Sequence, residues 1–288
     1  MIDYKKAIKV NMRGFGKQSE SKKAKDSKAI KFTKEKIISQ AFSLHSQGNI
    51  LEAAKYYQFF LDQGYTDSKV FSNYGIILQQ TGQIKKAIEL HNKSIALFPN
   101  NADAYCNLGI LLKSIDNAKK AEVLIRKAIE LQPDFPEAHF NLGAILKDLG
   151  KLKEAELSTR KAIELQPSFL EAHFNLGAIL KDLGNLKEAE LSTRKAIELQ
   201  PNFPEAYANL GTILRGLDQL KEAEVSTRKA IQLKPDFAIA HNNLGNILKD
   251  FGKLEEALLS FNAAIHFDKT LNSAIASIGE IELKKGNH

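Results

Sequence analysis

Six asparagines recur at an interval of 34 residues: Asn73, Asn107, Asn141, Asn175, Asn209 and Asn243. An amide side chain donates through its nitrogen and accepts through its oxygen. A row of them on one face can bracket the backbone of an extended peptide without demanding particular side chains. Asparagine is a poor helix former, so its return in register calls for a reason. The plainer alternative is that these residues tie neighbouring helices together or face water. A second register holds Lys113, Lys147, Lys181, Arg215 and Lys249, with Gln79 in the same place. The adjoining position carries Gln80, Ser114, Asp148, Asp182, Gly216 and Asp250, and a third register carries Asp103, Glu137, Glu171 and Glu205. Stripes of both signs suit a groove that selects a polar peptide, or a solvated face with local ion pairs.

Other chemistries find less support. His139, His173 and His241 share one register, but residues one repeat apart sit on helices about 10 Å from each other. A zinc ion needs its ligands at about 2 Å, so aromatic-like filling is expected and no metal. Cys106 is the one cysteine. It allows no intrachain disulfide, has no matching nucleophile partner, and reads as filler. No phosphate-binding glycine loop, GxSxG, HExxH or paired-cysteine motif appears. The expectation is a non-enzyme with no catalytic residues and no cofactor.

The chain has 288 residues, 43% of them hydrophobic, enough for a real core. Nowhere does an apolar run approach the ~18 residues of a membrane span, and MIDYKKAIKV lacks the apolar stretch of a secretory signal. A cytoplasmic location is expected. The net charge is +7. Residues 1–33 hold ten basic and three acidic residues, the whole of that excess, and the rest is balanced at 31 of each. Lys22, Lys23, Lys25, Lys28 and Lys31 cluster there, with Tyr4, Phe15 and Phe32 as the aromatics. Nucleic-acid binding through such a segment is weak, nonspecific and steeply salt-dependent, so nucleic acid is not the expected partner. Gly14, Gly16, Ser19, Ser21 and Ser27 break helical patterning, and a flexible tail is expected.

What positions the asparagines is a repeat. Residues 136–169 and 170–203 match at 31 of 34 positions. The same period runs outward without insertion or deletion, with units starting at 34, 68, 102, 136, 170, 204 and 238. Seven units end at Leu271, and residues 272–288 form half a unit. All seven prolines fall at position 32 or position 1 of a unit, and 13 of the 17 glycines at position 8 or 15.

Each unit predicts two short helices. In EAHFNLGAILKDLG, Ala138, Leu142, Ile145, Leu146 and Leu149 form one apolar face, and Gly150 stands where a left-handed terminating residue belongs. In the second, Leu152, Ala155, Thr159, Ala162, Ile163 and Leu165 repeat the pattern, and Pro167 follows its end. Glu156 and Arg160 lie four apart, as do Glu190 and Arg194, and Glu224 and Arg228, which supports an exposed helix face. Position 8 is glycine in six of the seven full units and Ala41 in the first, and position 20 is alanine in all seven, from Ala53 to Ala257. Small residues at both predict close packing of the two helices.

The pattern of small residues at 8 and 20, an apolar residue at 7 and proline at 32 resembles the tetratricopeptide repeat (TPR). The resemblance covers residues 34–288, nearly 90% of the chain. The first unit departs most, with Gln40 at 7, Phe60 at 27, Tyr65 at 32 and an aromatic-rich second helix. The near-identical units are also similar to those of marine picocyanobacterial repeat proteins, whose longer relatives carry a catalytic domain after the repeats. The resemblance implies an all-α, right-handed solenoid of antiparallel helix pairs whose concave groove is lined by the first helices. In the repeat superhelices of O-linked N-acetylglucosamine transferases, a similar asparagine ladder holds peptide backbone. The lysine and asparagine pattern of repeats that clamp acidic chaperone tails is not matched, since Phe140 and Phe174 stand where that clamp needs a polar residue.

The function expected on this footing is a protein–protein interaction scaffold that binds extended segments of other proteins. The alternative is a substrate-recognition module serving a separate glycosyltransferase-like or other modifying enzyme. For residues 272–288, Ala274, Ile275, Ile278 and Ile281 offer a packing face, Lys284 and Lys285 suit a helix C-terminus, and Gly286 offers its cap. A capping helix is expected, against the cut edge of a longer protein.

Overall fold

The computed structural model describes residues 33–286, with side chains through Leu283. The expected basic tail lies outside the described residues but for Thr33. The described chain is all α, with fifteen helices and no strand. It divides into two compact units, Met1–Asn117 and Ala118–His288, and the division falls between the two helices of the third repeat.

The first unit contains α1 (Lys34–Ser46), α2 (Ile50–Asp62), α3 (Ser68–Gln80), α4 (Ile84–Leu97) and α5 (Ala102–Ser114). The second contains α6 (Ala118–Leu131), α7 (Pro136–Asp148), α8 (Leu152–Leu165), α9 (Leu170–Asp182), α10 (Leu186–Leu199), α11 (Pro204–Gly216), α12 (Leu220–Leu233), α13 (Ala238–Asp250), α14 (Leu254–Phe267) and α15 (Asn272–Gly286). Every first helix of a full repeat runs from position 1 to position 13, as the period predicts.

The helix ends follow from local chemistry. Thr33, Asp67 and Asn101 accept hydrogen bonds from backbone N–H groups of the first turns of α1, α3 and α5, satisfying donors that the helix leaves open. Pro136 and Pro204 occupy the first turns of α7 and α11, where a missing N–H costs nothing. At the other end, Gly150 adopts φ +73°. Its N–H bonds to the Lys147 carbonyl at 2.9 Å and the Lys151 N–H to the Leu146 carbonyl at 2.8 Å, the paired closure of a Schellman motif. Asp116 and Asp218 fill the same left-handed position at φ 60°.

Within a repeat, the two helices approach through small residues. A methyl group added at Gly143 would fall inside the Thr159 hydroxyl and 3.2 Å from the Ala155 carbonyl oxygen. Gly177 and Gly211 meet Thr193 and Thr227 in the same way. Between repeats, apolar side chains are shared. Ile213 of the sixth repeat joins Leu176, Leu180 and Ala189 of the fifth, and Ile247 of the seventh joins Leu210, Leu214 and Ala223 of the sixth. These repeats do not bury their apolar faces alone, which is the energetic basis of a repeat array. In the first repeat, Tyr57 and Phe60 are fully buried among Ile37, Ala41, Ala53 and Val70, so the aromatic load is core.

The last helix needs two corrections. Ala274 and Ile281 are buried, but Ile275 is 48% exposed and Ser277 takes the inward place. Residues 274, 277, 278 and 281 share one face, and Ile275 is turned about 100° from Ala274 at 3.6 residues per turn. Gly286 lies within the described helix rather than beyond it as a cap.

Candidate functional site

The asparagine row is half-buried at every step, and most of its amide nitrogens are engaged with the protein. Asn175 donates to Thr159 Oγ1 at 3.5 Å, and Asn209 to Thr193 Oγ1 at 3.4 Å. Each threonine passes its own proton to a carbonyl one turn back, Ala155 or Ala189, at 2.8 Å. Position 6 of one repeat is thus tied to position 24 of the repeat before. In the first unit, Asn73 donates to Tyr57 Oη at 3.2 Å, and Tyr57 Oη shares a hydrogen bond with His45 Nδ1 at 3.0 Å. Burial pushes the Tyr57 phenol up from its ordinary value, against the opposing hydrogen bond from Asn73.

Two exceptions have a local cause. Position 24 before Asn141 is Ile125, which offers no acceptor. Asn141 turns back to the Glu137 carbonyl of its own helix at 2.7 Å. Asn243 donates instead to Thr212 Oγ1 at 3.1 Å and the Ala208 carbonyl at 3.3 Å, and Thr227 Oγ1 is left buried without a hydrogen bond. The structure thus places Asn175, Asn209 and Asn73 as inter-repeat ties. Their Oδ1 atoms, and those of Asn141 and Asn243, accept no hydrogen bond from the described residues.

The cationic register is also paired along the array. Arg215 holds Asp250 of the next repeat through Nε at 2.5 Å and a second nitrogen at 3.3 Å. Lys147 stands 4.0 Å from Asp182 and Lys181 3.8 Å from the same carboxylate. Lys181 lacks a next-repeat acid because Gly216 occupies that position. Lys249 reaches Glu280 of α15 at 3.0 Å. Lys113 is half-buried near the end of α5. In the second unit three of these cations, Lys147, Arg215 and Lys249, therefore pair from one first helix to the next, and Lys181 turns to its own helix.

The histidines each have a structural partner. The Nε2–H of His139, His173 and His241 donates to the carbonyl of Pro133, Pro167 and Pro235, at 2.9 Å in each case. Among the described residues, no group of three or more His, Cys, Asp or Glu could hold a metal ion. Cys106 is buried. Phe140 and Phe174 lie against Phe169 and Phe203, ring centroids 5.1 and 4.9 Å apart, so the aromatic residue that ends each repeat covers part of them.

Sequence reasoning missed position 24. Its occupants Tyr57, His91, Ile125, Thr159, Thr193, Thr227 and Phe261 are buried, and most receive position 8 or position 6. The signal was available: where position 8 is glycine, the facing residue is free to vary in size.

Comparison with known proteins agrees with this geometry. Models described as tetratricopeptide repeat match residues 136–169 and 170–203, 193–225, and 102–135 and 238–270, and one described as TPR repeat matches 75–115. Together they span well over half of the chain, which belongs to the tetratricopeptide-repeat family of protein–protein interaction scaffolds. The solved structure of YrrB, described as a TPR protein with an unusual peptide-binding site, is 25% identical, covers 66% of this chain and 97% of that one, and has a TM-score of 0.55. PilF of Pseudomonas aeruginosa covers 74% and 97% at 18% identity and TM-score 0.65. A tetratricopeptide repeat protein from Parabacteroides merdae covers 86% and 98% at 17% identity and TM-score 0.64. These last two show the fold alone. No curated protein matches the chain by sequence. No described helix is long and apolar enough to cross a membrane.

Proposed function

We propose that the chain is a non-enzymatic, cytoplasmic scaffold whose first helices hold an extended segment of a partner protein. The observation that carries this is the row of unengaged amide oxygens on Asn141, Asn175, Asn209 and Asn243. With their N–H groups turned to the protein, these side chains offer acceptors, one per repeat, to the N–H groups of a peptide backbone. Asn73 and Asn107 hold the same register in the first unit. Backbone recognition gives affinity without sequence demand. Lys147, Lys181, Arg215 and Lys249 accompany the row on the same helices, as Lys113 accompanies Asn107 in the first unit, and the carboxylates of the neighbouring register keep that flank near neutral. A polar, uncharged peptide suits it better than an acidic one. The peptide-binding site described for YrrB supports the class of ligand.

The test is a peptide array read with the intact chain, followed by affinity measurements on its hits. Asn175→Leu with Asn209→Leu should weaken binding, and Asn175→Asp with Asn209→Asp, which keeps an acceptor, should weaken it less. N-methylation of the peptide at alternate residues should reproduce the loss. Unchanged affinity of every hit for the leucine variant would remove the asparagines from the site.

A further inference from the structure

Within the second unit, every junction between successive second helices is closed by ion pairs. Glutamate at position 21 and arginine at position 25 of one repeat meet glutamate at position 19 of the next. Arg126 bonds Glu122 at 2.9 Å and Glu154 at 2.6 Å. Arg160 bonds Glu156 and Glu188, and Arg194 bonds Glu190 and Glu222. Arg228 bonds Glu224 at 2.7 Å and stands 3.9 Å from Glu256. Lys151, at position 16, adds a fourth group to the first of these clusters, 2.9 Å from Glu122. Its hydrogen bond outweighs burial and, with Arg126, holds the Glu122 carboxyl below the usual range.

In the first unit, between α2 and α4, the same four places hold Ala54, Gln58, Lys86 and Gln83. Both carboxylates are gone, and a lysine stands where the fourth repeat has Glu154. The ion cluster cannot form, and a cavity of about 540 Å³ opens there, lined by all four residues. Leu51, Tyr74, Ile77 and Leu78 give it an apolar wall. Most of its polar groups are engaged with one another. Gln58 accepts from Tyr74 Oη at 2.7 Å and donates to Asp62 at 2.7 Å. Gln83 donates to Thr81 Oγ1 at 3.2 Å and accepts from Lys86 at 2.9 Å. Lys55 is paired with Glu52. Lys86 meets no carboxylate among the described residues, and Gln83 takes one of the three donors of its ammonium group.

We propose that this cavity binds a small amphipathic carboxylate, with its apolar body against Leu51, Ile77 and Leu78 and its head on Lys86. Size and charge identify the occupant. A recess of this volume between helices, mostly apolar with a few polar groups, has the character of a small-molecule site. Its one cation without a counter-ion stands where the other junctions hold a carboxylate. A monoanion restores the balance that Ala54 and Lys86 remove. A neutral ligand leaves the ammonium group unpaired, and a cationic one is repelled by it. Asn73 is not part of the wall, so the site is separate from the asparagine row.

Calorimetric titration of the intact chain with decanoate, kept below its micelle-forming concentration, tests this. Decanoate should bind saturably at one site per chain. Decanol, which keeps the body without the charge, should bind roughly tenfold more weakly, on the scale of one charge-assisted hydrogen bond. Decyltrimethylammonium should bind more weakly still. Lys86→Gln should bring decanoate to the level of decanol and leave decanol unchanged. Ala54→Glu with Gln58→Arg and Lys86→Glu installs the ion cluster of the other junctions and should abolish binding of both. If this triple variant loses its helical circular dichroism, Lys86→Gln still decides, because that side chain is exposed. The proposal is overturned by decanoate that does not saturate one site, by decanoate affinity indifferent to Lys86→Gln, or by a folded triple variant that binds as wild type does. None of these outcomes depends on peptide binding by the asparagine row.

Discussion

The imidazole of His91 packs directly over Gly75 in the second repeat. The ring is fully buried and neither nitrogen has a hydrogen-bond partner. Burial pushes its pKa down from 6.5 to about 4. The unfolded chain therefore takes up this proton first as pH falls. The stability associated with the neutral ring is complete above pH 6.5 and is lost progressively between 6.5 and about 4. The full loss is about 3 kcal/mol. Urea midpoints of wild type should fall across this window. His91→Thr, which places there the residue used in the fourth to sixth repeats, should lower the midpoint at neutral pH through lost packing and flatten its pH dependence. An equal acid slope in the variant would show that other groups drive it.

Gly143 and Thr159 make a second tight pair. Gly143→Ala should cost about 1–3 kcal/mol through overpacking. Thr159→Ala removes the hydroxyl that the new methyl would strike, so the double variant should recover part of the loss in a denaturation cycle. Strict additivity would mean that the helices part rather than clash.

Asp116 and Asp218 take the left-handed conformation that glycine supplies in the other repeats. The carboxylate does not remove the steric cost of a Cβ there. Asp218→Gly should raise stability by roughly 0.5–1 kcal/mol, and Gly150→Ala should lower it by a similar amount. Thermal melts of the two variants should therefore move in opposite directions.

The helix positions were legible because the breakers are periodic. Pro133, Pro167 and Gly150 mark the ends whatever packs around them, and the amphipathic faces follow from spacing alone. The ion pairs within one helix, such as Glu156–Arg160, were legible for the same reason. Their extension to Glu188 was not, because contact between repeats depends on how helices stack. The asparagine row was found by register, but its hydrogen bonds depend on the residue at position 24 one repeat earlier. Thr159 draws Asn175 across, and Ile125 sends Asn141 back to its own helix. Ile275 misled because a hydrophobic residue counts toward a face only when its angle on the wheel agrees.

The fourth and fifth repeats join their successors through the same residues: arginine toward the following glutamate, threonine toward the following asparagine. Excising residues 170–203 would bring Phe169 to Pro204 and offer Arg160 to Glu222 and Thr159 to Asn209, chemically the same junction. The gene can thus lengthen or shorten this protein by whole coils through unequal recombination, without passing through a misfolded intermediate length. The length of the array is then a heritable quantity that changes in discrete steps of one repeat.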